Sequence, residues 1–247
     1  MNFFSLFKRN LIYQLKNKIL IDSDQIDLNT LDQLFHHYGS DKADIFKFTN
    51  KQGHGFSKFY EKKLLNFKNK KINILEIGSY AGASAAALVK YLPNSNVFCF
   101  DVNISNFTYR SKKIHVFGFD INNEKKLKKI INKIFNQFQF KEFDIIIDDG
   151  SHNLSDILVT LKYLFRLVKN SGLYIIEDFK HPNYYQYNRN INHILIDEFL
   201  KNLQEKNISN SNLLNEEMQR SLINSIEKIE VFKGNLSDSD ISFIEKK

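Results

Sequence analysis

Two apolar runs near the middle of the chain each end in a pair of acidic residues. The runs and their acids are residues 143–147 with Asp148 and Asp149, and residues 173–176 with Glu177 and Asp178. Short, branched-rich runs stopped by polar residues are typical of buried parallel strands. Between the two runs, residues 154–168 carry apolar side chains at helical spacing. The pattern therefore predicts one strand–helix–strand unit.

A right-handed crossover would place both strands side by side, with their carboxyl ends on one edge of the sheet. We therefore expect the four carboxylates to converge there. Carboxylates in such a cluster repel one another unless they are protonated or bind a metal, and their oxygens suit magnesium, calcium or manganese. His152 follows Asp149 by about one turn and can act as a base. Alternatively, Asp148 or Asp149 caps the following helix, and we expect one of them to do so.

Similar patterns predict further elements on both sides of this unit. Strands are expected at residues 72–77, 97–100, 114–119, 226–232 and 241–245, and helices at residues 83–92, 124–138 and 191–203, with a weaker helical pattern in 204–222. The last two strands are joined by G-N-L-S-D-S-D, which predicts an antiparallel hairpin on an otherwise parallel sheet.

The segment before the first core strand predicts a helical cap. Residues 1–20 are apolar on one helical face but are interrupted by Lys8, Arg9, Lys16 and Lys18. We therefore expect neither a signal peptide nor a membrane span in this segment. The helix can pack on the domain or on another subunit of a homo-oligomer, or it can touch a membrane surface. A second helix is expected to end near Tyr38, and residues 53–65 are expected to form a loop followed by a third helix.

Composition limits the domain count and the compartment. With 247 residues, 43% of them hydrophobic, the chain can bury one sizeable core. We expect a cap or extension in residues 1–70 and one α/β domain in residues 71–247. The formal charge of +7 comes from scattered lysines, so we do not expect a nucleic-acid partner. Cys99 is the single cysteine and favours the reducing cytoplasm.

A glycine-bearing turn follows the first core strand. Residues 76–84 read E-I-G-S-Y-A-G-A-S, and such a turn lets a ligand approach the backbone at a helix N-terminus. Asp101 ends the second strand about 20 residues later, where an acid can bind ribose hydroxyls. Asp120 ends the third strand. An NAD-dependent oxidoreductase is disfavoured because G-S-Y-A-G-A does not match G-x-G-x-x-G.

These motifs resemble those of class I S-adenosylmethionine-dependent methyltransferases. More specifically, D-D-G-S-H followed by I-I-E-D is similar to the metal-dependent sugar O-methyltransferases, including the macrocin and mycinamicin enzymes and the cephalosporin-hydroxylase-like group. The early Y-G-S-D-K and H-G-F-S-K-F-Y-E also resemble segments of that group. The likeness covers roughly residues 36 to 247. We do not expect the long N-terminal domain of the macrolide enzymes here, so their assembly and acceptor specificity are not carried over.

The resemblance implies a Rossmann-like α/β fold with a mostly parallel seven-stranded sheet, a C-terminal antiparallel hairpin and helices on both faces. It also implies S-adenosylmethionine and Mg²⁺ as cofactors and a sugar or nucleotide-sugar acceptor. Magnesium ligands would be Asp149, Glu177 and Asp178, with His152 as general base beside Asp149. Cofactor contacts would be Glu76, Gly78, Ser84, Asp101, Asp120 and Asp148.

The implied function is methyl transfer to a sugar hydroxyl, in making a surface polysaccharide or a glycosylated metabolite. Two alternatives stay open: transfer to a phosphoryl-type oxygen, and a non-catalytic S-adenosylmethionine-binding assembly subunit. By default, the other histidines are expected to be surface or capping residues: His36, His37, His54, His115, His181 and His193. Tyr184, Tyr185 and Tyr187 can serve either packing or sugar stacking.

Overall fold

A seven-stranded sheet forms the centre of the computed structural model, which describes residues 3–180 and 194–247. Its strands are β1 (Ile72–Ile77), β2 (Ser95–Asp101), β3 (Ile114–Gly118), β4 (Phe143–Asp148), β5 (Val168–Glu177), β6 (Ile226–Lys233) and β7 (Asp240–Lys246). They lie in the order β6-β7-β5-β4-β1-β2-β3. Strands β1 to β5 pair in parallel, whereas β7 is antiparallel to both β5 and β6. The predicted parallel sheet with a terminal hairpin is confirmed.

Eight helices lie in the described part of the chain. They are α1 (Phe3–Leu15), α2 (Leu31–Tyr38), α3 (Ser57–Leu64), α4 (Ala83–Tyr91), α5 (Glu124–Phe138), α6 (Leu154–Leu164), α7 (Ile196–Gln204) and α8 (Glu216–Ser225). Local sequence explains the ends of α2. Thr30 accepts a hydrogen bond from the Gln33 amide in a capping box, and Gly39 ends the helix in the left-handed conformation at φ 81°.

Apolar layers cover both faces of the sheet. One layer combines side chains of α5, α6 and α7 with the strands. The other combines α2, α3 and α4 with the opposite face. Strands buried on both faces need apolar residues at nearly every position, which explains the continuous runs in the sequence. Because α2 and α3 share a core with β1, the chain before residue 70 is packed directly onto the sheet.

Two element boundaries differ from the sequence-based expectation. Helix α6 ends at Leu164, and β5 already begins at Val168, where it pairs with Phe143. The apolar pattern could not separate these elements because Phe165 and Val168 are buried in either conformation. Within residues 204–222, the helix begins only at Glu216. Residues 191–193 of the helix expected at 191–203 lie outside the described residues.

Helix α1 packs on the domain through its polar side. Asn10 Nδ2 donates to the Gly118 carbonyl at 3.3 Å, and the Tyr13 ring meets Phe107 edge-on at 6.2 Å. Its opposite face carries Phe7, Leu11 and Leu15, which are 61%, 44% and 76% exposed. Across the part of the chain that the structure describes, no helix has the length and apolar character needed to cross a membrane.

Candidate active site

The carboxyl ends of β1, β2 and β4 open onto adjoining cavities. A cavity of about 340 Å³ is lined by residues that include Phe100, Phe119, Asp120 and Asp148. A cavity of about 620 Å³ is lined by Glu76, Ser84, Asp149 and His152, among others. Gly78, Asp101 and Gly150 line both cavities. Every cofactor residue predicted from the sequence therefore lines one cavity or both.

Gly78 brings the loop after β1 against the loop after β4. It has φ 82°, and a Cβ atom at this position would lie 1.8 Å from the Asp149 carbonyl oxygen. The Asp149 amide also donates to the Ile77 carbonyl at 3.0 Å. A glycine is therefore required here by contact between two loops of the protein itself, in addition to any need for a ligand to approach.

Several polar groups that line the cavities are arranged to receive hydrogen bonds. Glu76 is fully buried, and neither of its carboxylate oxygens, nor the buried Ser84 hydroxyl, has a hydrogen-bond partner among the described residues. Asp101 accepts from the Tyr80 amide at 2.7 Å and from the Asn103 amide at 2.6 Å. Buried polar groups are normally paired, so Glu76 and Ser84 indicate a polar ligand.

Asp148 is not a helix cap. Its carboxylate accepts hydrogen bonds from Thr160 and, at 3.4 Å, from Tyr174. Burial raises the pKa of Asp148 to about 7. Helix α6 is instead capped by Asn153, whose side chain accepts from the Asp156 amide at 3.1 Å. The expectation that Asp148 or Asp149 caps this helix is therefore wrong, because the turn at residues 150–152 separates both from the helix.

Asp149, His152 and Asp178 converge as a group able to hold a metal ion. Each offers a ligand atom, and these atoms lie within 4.8 Å of one another. His152 and Asp178 have positive φ angles of 58° and 48°. For residues other than glycine, such conformations cost free energy and occur preferentially at functional sites.

The orientation of His152 fixes its tautomer. Its Nδ1 atom lies 3.2 Å from the Glu177 carbonyl oxygen, and a carbonyl can only accept. Nδ1 therefore carries the proton in this hydrogen bond, which makes Nε2 the basic nitrogen of the neutral ring. Nε2 lies 3.7 Å from Asp149 Oδ1, on the side of the acidic group.

Glu177 is held differently from the other predicted metal ligands. One of its oxygens accepts from the Lys42 ammonium group and the other from the Tyr60 hydroxyl. Lys42 also contacts Asp149 at 2.5 Å. Burial alone would lower the pKa of Lys42, but Asp149 and Glu177 raise it well above its usual value. Burial raises the pKa values of Asp149 and Glu177, and Lys42 opposes both shifts.

The default expectation for the remaining histidines is wrong at two positions. His54 Nδ1 lies 3.1 Å from Asp178 Oδ1, an ion-pair approach without the alignment of a hydrogen bond, and 2.7 Å from the Ser239 hydroxyl. Burial opposes the charge on His54, but Asp178 raises its pKa overall. His115 packs against the rings of Phe98 and Phe138. The predictions for His181, His193, Tyr184, Tyr185 and Tyr187 concern residues outside the described part of the chain.

Sequence reasoning missed Lys42, His54 and Tyr60 as site residues. The only signal was that the motifs Y-G-S-D-K and H-G-F-S-K-F-Y-E precede the sheet and resemble segments of one methyltransferase group. Their carboxylate partners lie more than a hundred residues away in the chain, with separations of 107 for Lys42 to Asp149 and 117 for Tyr60 to Glu177.

The strand order, the layered helices and the cavities at the strand ends define a Rossmann-like methyltransferase fold. The chain belongs to the FtsJ-like methyltransferase family, because the sequence model of that family matches residues 53–178.

Individual relatives are sugar O-methyltransferases at low identity. Mycinamicin VI 2''-O-methyltransferase of Micromonospora griseorubida is 28% identical over 154 residues, which is 57% of this chain and 37% of that protein. 8-Demethyl-8-alpha-L-rhamnosyl tetracenomycin-C 2'-O-methyltransferase of Streptomyces olivaceus is 24% identical over 174 residues, which is 68% of this chain and 42% of that protein. The matched part thus spans less than half of these relatives.

A solved structure shares the fold over most of the chain. The MycE methyltransferase of the mycinamycin biosynthetic pathway, in complex with Mg, SAH and mycinamycin VI, superposes with a TM-score of 0.65 at 21% identity. The match covers 89% of this chain and 55% of that one.

Proposed function

We propose that the protein is a divalent-cation-dependent O-methyltransferase that transfers a methyl group from S-adenosylmethionine to a hydroxyl of a sugar or sugar conjugate. The observation that carries the proposal is the convergence of Asp149, His152 and Asp178 beside the cavity that the glycine turn lines. This arrangement combines oxygen ligands, a base and a binding cavity at the edge of the sheet where ligands of open α/β folds bind.

The cavity residues fit S-adenosylmethionine. Glu76 offers two buried acceptor oxygens to a cationic amino group, and Ser84 offers a hydroxyl. Asp101 is oriented by two backbone amides, and each of its oxygens keeps a lone pair for a ribose hydroxyl. The apolar lining of the smaller cavity, from Phe100 and Phe119, suits an adenine ring. S-adenosylmethionine, when bound, supplies the methyl group.

The acidic group fits a hard divalent cation such as Mg²⁺. Asp149 and Asp178 each offer a carboxylate oxygen in one cluster, and His152, the base, lies beside them. Glu177, which the sequence resemblance includes among the ligands, lies beside this cluster but has its oxygens engaged by Lys42 and Tyr60. We propose Asp149 and Asp178 as the primary carboxylate ligands, with Glu177 contributing negative charge.

The chemistry requires removal of a proton from an alcohol whose pKa lies far above neutrality. A divalent cation supplies Lewis acidity that makes an acceptor hydroxyl more acidic. His152 keeps its proton on Nδ1 through the Glu177 carbonyl, so its Nε2 can accept the hydroxyl proton. The side chains of Asp149 and Asp178 orient the acceptor beside the methyl donor, and such positioning contributes much of the rate.

A sugar acceptor is supported by the names of the relatives, which methylate sugar hydroxyls of glycosylated compounds. We extend this to a surface polysaccharide or a glycosylated metabolite as the final product. A cytoplasmic location accords with the free, buried thiol of Cys99.

Labelled methyl transfer tests the proposal. The protein is incubated with methyl-labelled S-adenosylmethionine and a panel of nucleotide sugars and glycosides, with and without a chelator. We expect transfer to at least one sugar, loss of transfer on chelation and recovery with Mg²⁺. Asp149→Asn should abolish transfer, whereas Asp144→Asn, at the opposite end of β4, should retain it. Cofactor binding without transfer to any sugar would contradict the proposed activity.

A further inference from the structure

Three side chains from the segment before the sheet hold the acids of the candidate site. Lys42 contacts Asp149 and Glu177, Tyr60 donates to Glu177, and His54 approaches Asp178. Lys42 and Tyr60 are 2% and 0% exposed. The acids at the ends of β4 and β5 are therefore contacted by side chains from far earlier in the sequence, and Lys42 precedes Asp149 by 107 residues and Glu177 by 135.

The burial of Lys42 is costly and calls for a reason beyond packing. Lysine is almost never fully buried unless it is paired, since removing its ammonium group from water carries a large desolvation penalty. Apolar residues of similar volume commonly replace buried ion pairs with little loss of stability. A buried ammonium group is therefore needed at this position because the acids that it pairs with are kept there.

The Lys42 ammonium group reduces the net negative charge of the acidic group formed by Asp149, Glu177 and Asp178. Asp149, Glu177 and Asp178 carry three negative charges when ionised, and the Lys42 ammonium group carries one positive charge, so with His54 neutral the net charge of the group is −2. One divalent cation would neutralise this charge. Without Lys42 the same cation would leave an uncompensated negative charge in a buried site.

We infer that Lys42, through its ion pairs with Asp149 and Glu177, limits the negative charge of the cation site to that of one divalent cation. The inference rests on the proposed function, specifically on its cation. The inference goes beyond the proposed function because it assigns a role to Lys42, which lies outside the acidic motifs.

Cation affinity and cation-dependent stability test the inference in Lys42→Met, which keeps much of the side-chain length but removes the charge. Mn²⁺ serves as the probe, titrated calorimetrically at fixed pH and salt. A positive charge within a few ångströms of the cation opposes its binding, so the variant should bind Mn²⁺ at least about tenfold more tightly. Without Mn²⁺ the variant should unfold at a lower temperature, and Mn²⁺ should raise its Tm more than that of the unchanged protein.

Two further variants control for poor folding of Lys42→Met and for the loss of a lysine elsewhere on the protein. Lys42→Gln retains a hydrogen-bond donor without the charge, and it should shift the Mn²⁺ affinity in the same direction even if Lys42→Met folds poorly. Lys63→Met removes a lysine that pairs with Glu230 elsewhere on the protein, and it should leave the Mn²⁺ affinity unchanged. A purely structural role for Lys42 would instead lower the Tm equally with and without Mn²⁺.

The outcomes separate this inference from the proposed function. If the unchanged protein binds Mn²⁺ and both Lys42 variants bind it equally or more weakly, the inference is overturned while the cation site stands. If the unchanged protein binds no Mn²⁺, the cation in the proposed function and the inference both fail.

Discussion

Replacing Asp148 by asparagine should remove a pH dependence from the stability of the fold. The Asp148 carboxylate is buried beneath the smaller cavity, where it accepts hydrogen bonds from Thr160 and Tyr174. Burial raises its pKa from 3.8 to about 7. Between these two values the folded protein holds a proton on Asp148 that the unfolded chain has released. Because the folded state binds one more proton than the unfolded state, the free energy of unfolding falls as the pH rises through this window.

The size of this change in the free energy of unfolding follows from the pKa shift of Asp148. Each pKa unit corresponds to about 1.4 kcal/mol, so a shift of about three units bounds the loss at about 4 kcal/mol. Only the part of the window above pH 5 is conveniently measured, and it amounts to about 2–3 kcal/mol by pH 8. The asparagine side chain has no such proton to lose. The free energy of unfolding of Asp148→Asn, relative to the unchanged protein, should therefore rise by that amount between pH 5 and pH 8.

Urea denaturation measures this difference, with chelator present and without cofactor. Curves at several pH values between 5 and 8 give the free energy of unfolding, and a constant m-value shows that the transition itself is unchanged. Asp148→Ala is the matched control, since it adds a cavity penalty that is the same at every pH but should show the same pH-dependent change. A difference that stays constant with pH in both variants would mean that Asp148 is ionised throughout in the folded protein, against the reasoning above.

Three further substitutions test the cofactor site, the base and the loop contact. Asp101→Ala should weaken S-adenosylmethionine binding by about 1.5–3 kcal/mol, the scale of hydrogen bonds to a charged group, and an unchanged affinity in calorimetric titration would remove Asp101 from the site. His152→Ala should lower turnover about 10²- to 10⁴-fold with cofactor affinity retained; near-normal turnover would show that His152 is not the base. Gly78→Ala should destabilise the fold by at least about 1–2 kcal/mol, because alanine is strained at this φ and its Cβ would meet the Asp149 carbonyl. Thermal unfolding at the parent temperature would contradict that last expectation.

The sheet could be predicted from the sequence because its strands are buried on both faces. Each strand appears as a short apolar run, and the run ends where the chain reaches the polar edge, as at Asp101 and Asp148. The convergence of the acids at the ends of β4 and β5 then follows from topology alone, since the carboxyl ends of adjacent parallel strands lie at the same edge of the sheet. The end of α6 could not be predicted in the same way, because an apolar residue such as Val168 fits a buried strand as well as a buried helix face.

The partners of those acids could not be predicted because they depend on long-range packing. No local pattern indicates that Lys42 reaches Glu177, 135 residues later in the chain, or that His54 turns toward Asp178. The cap of α6 was missed for a local reason. A cap must directly precede the first helical residue, a position that Asn153 occupies, while the acids lie on the far side of a tight turn.

The contact between Gly78 and the Asp149 carbonyl has a thermodynamic consequence. The backbone at Gly78 lines the predicted cofactor cavity and contacts the backbone of Asp149, a predicted cation ligand. The two segments are so close that there is no room for a Cβ atom between them. If a ligand displaced one loop, the other would have to shift, and the binding free energies of cofactor and cation would then be coupled. Linkage requires the coupling to be reciprocal: whatever factor the cation imposes on cofactor affinity, the cofactor imposes on cation affinity. Cooperativity between the two ligands would thus arise from a single backbone contact.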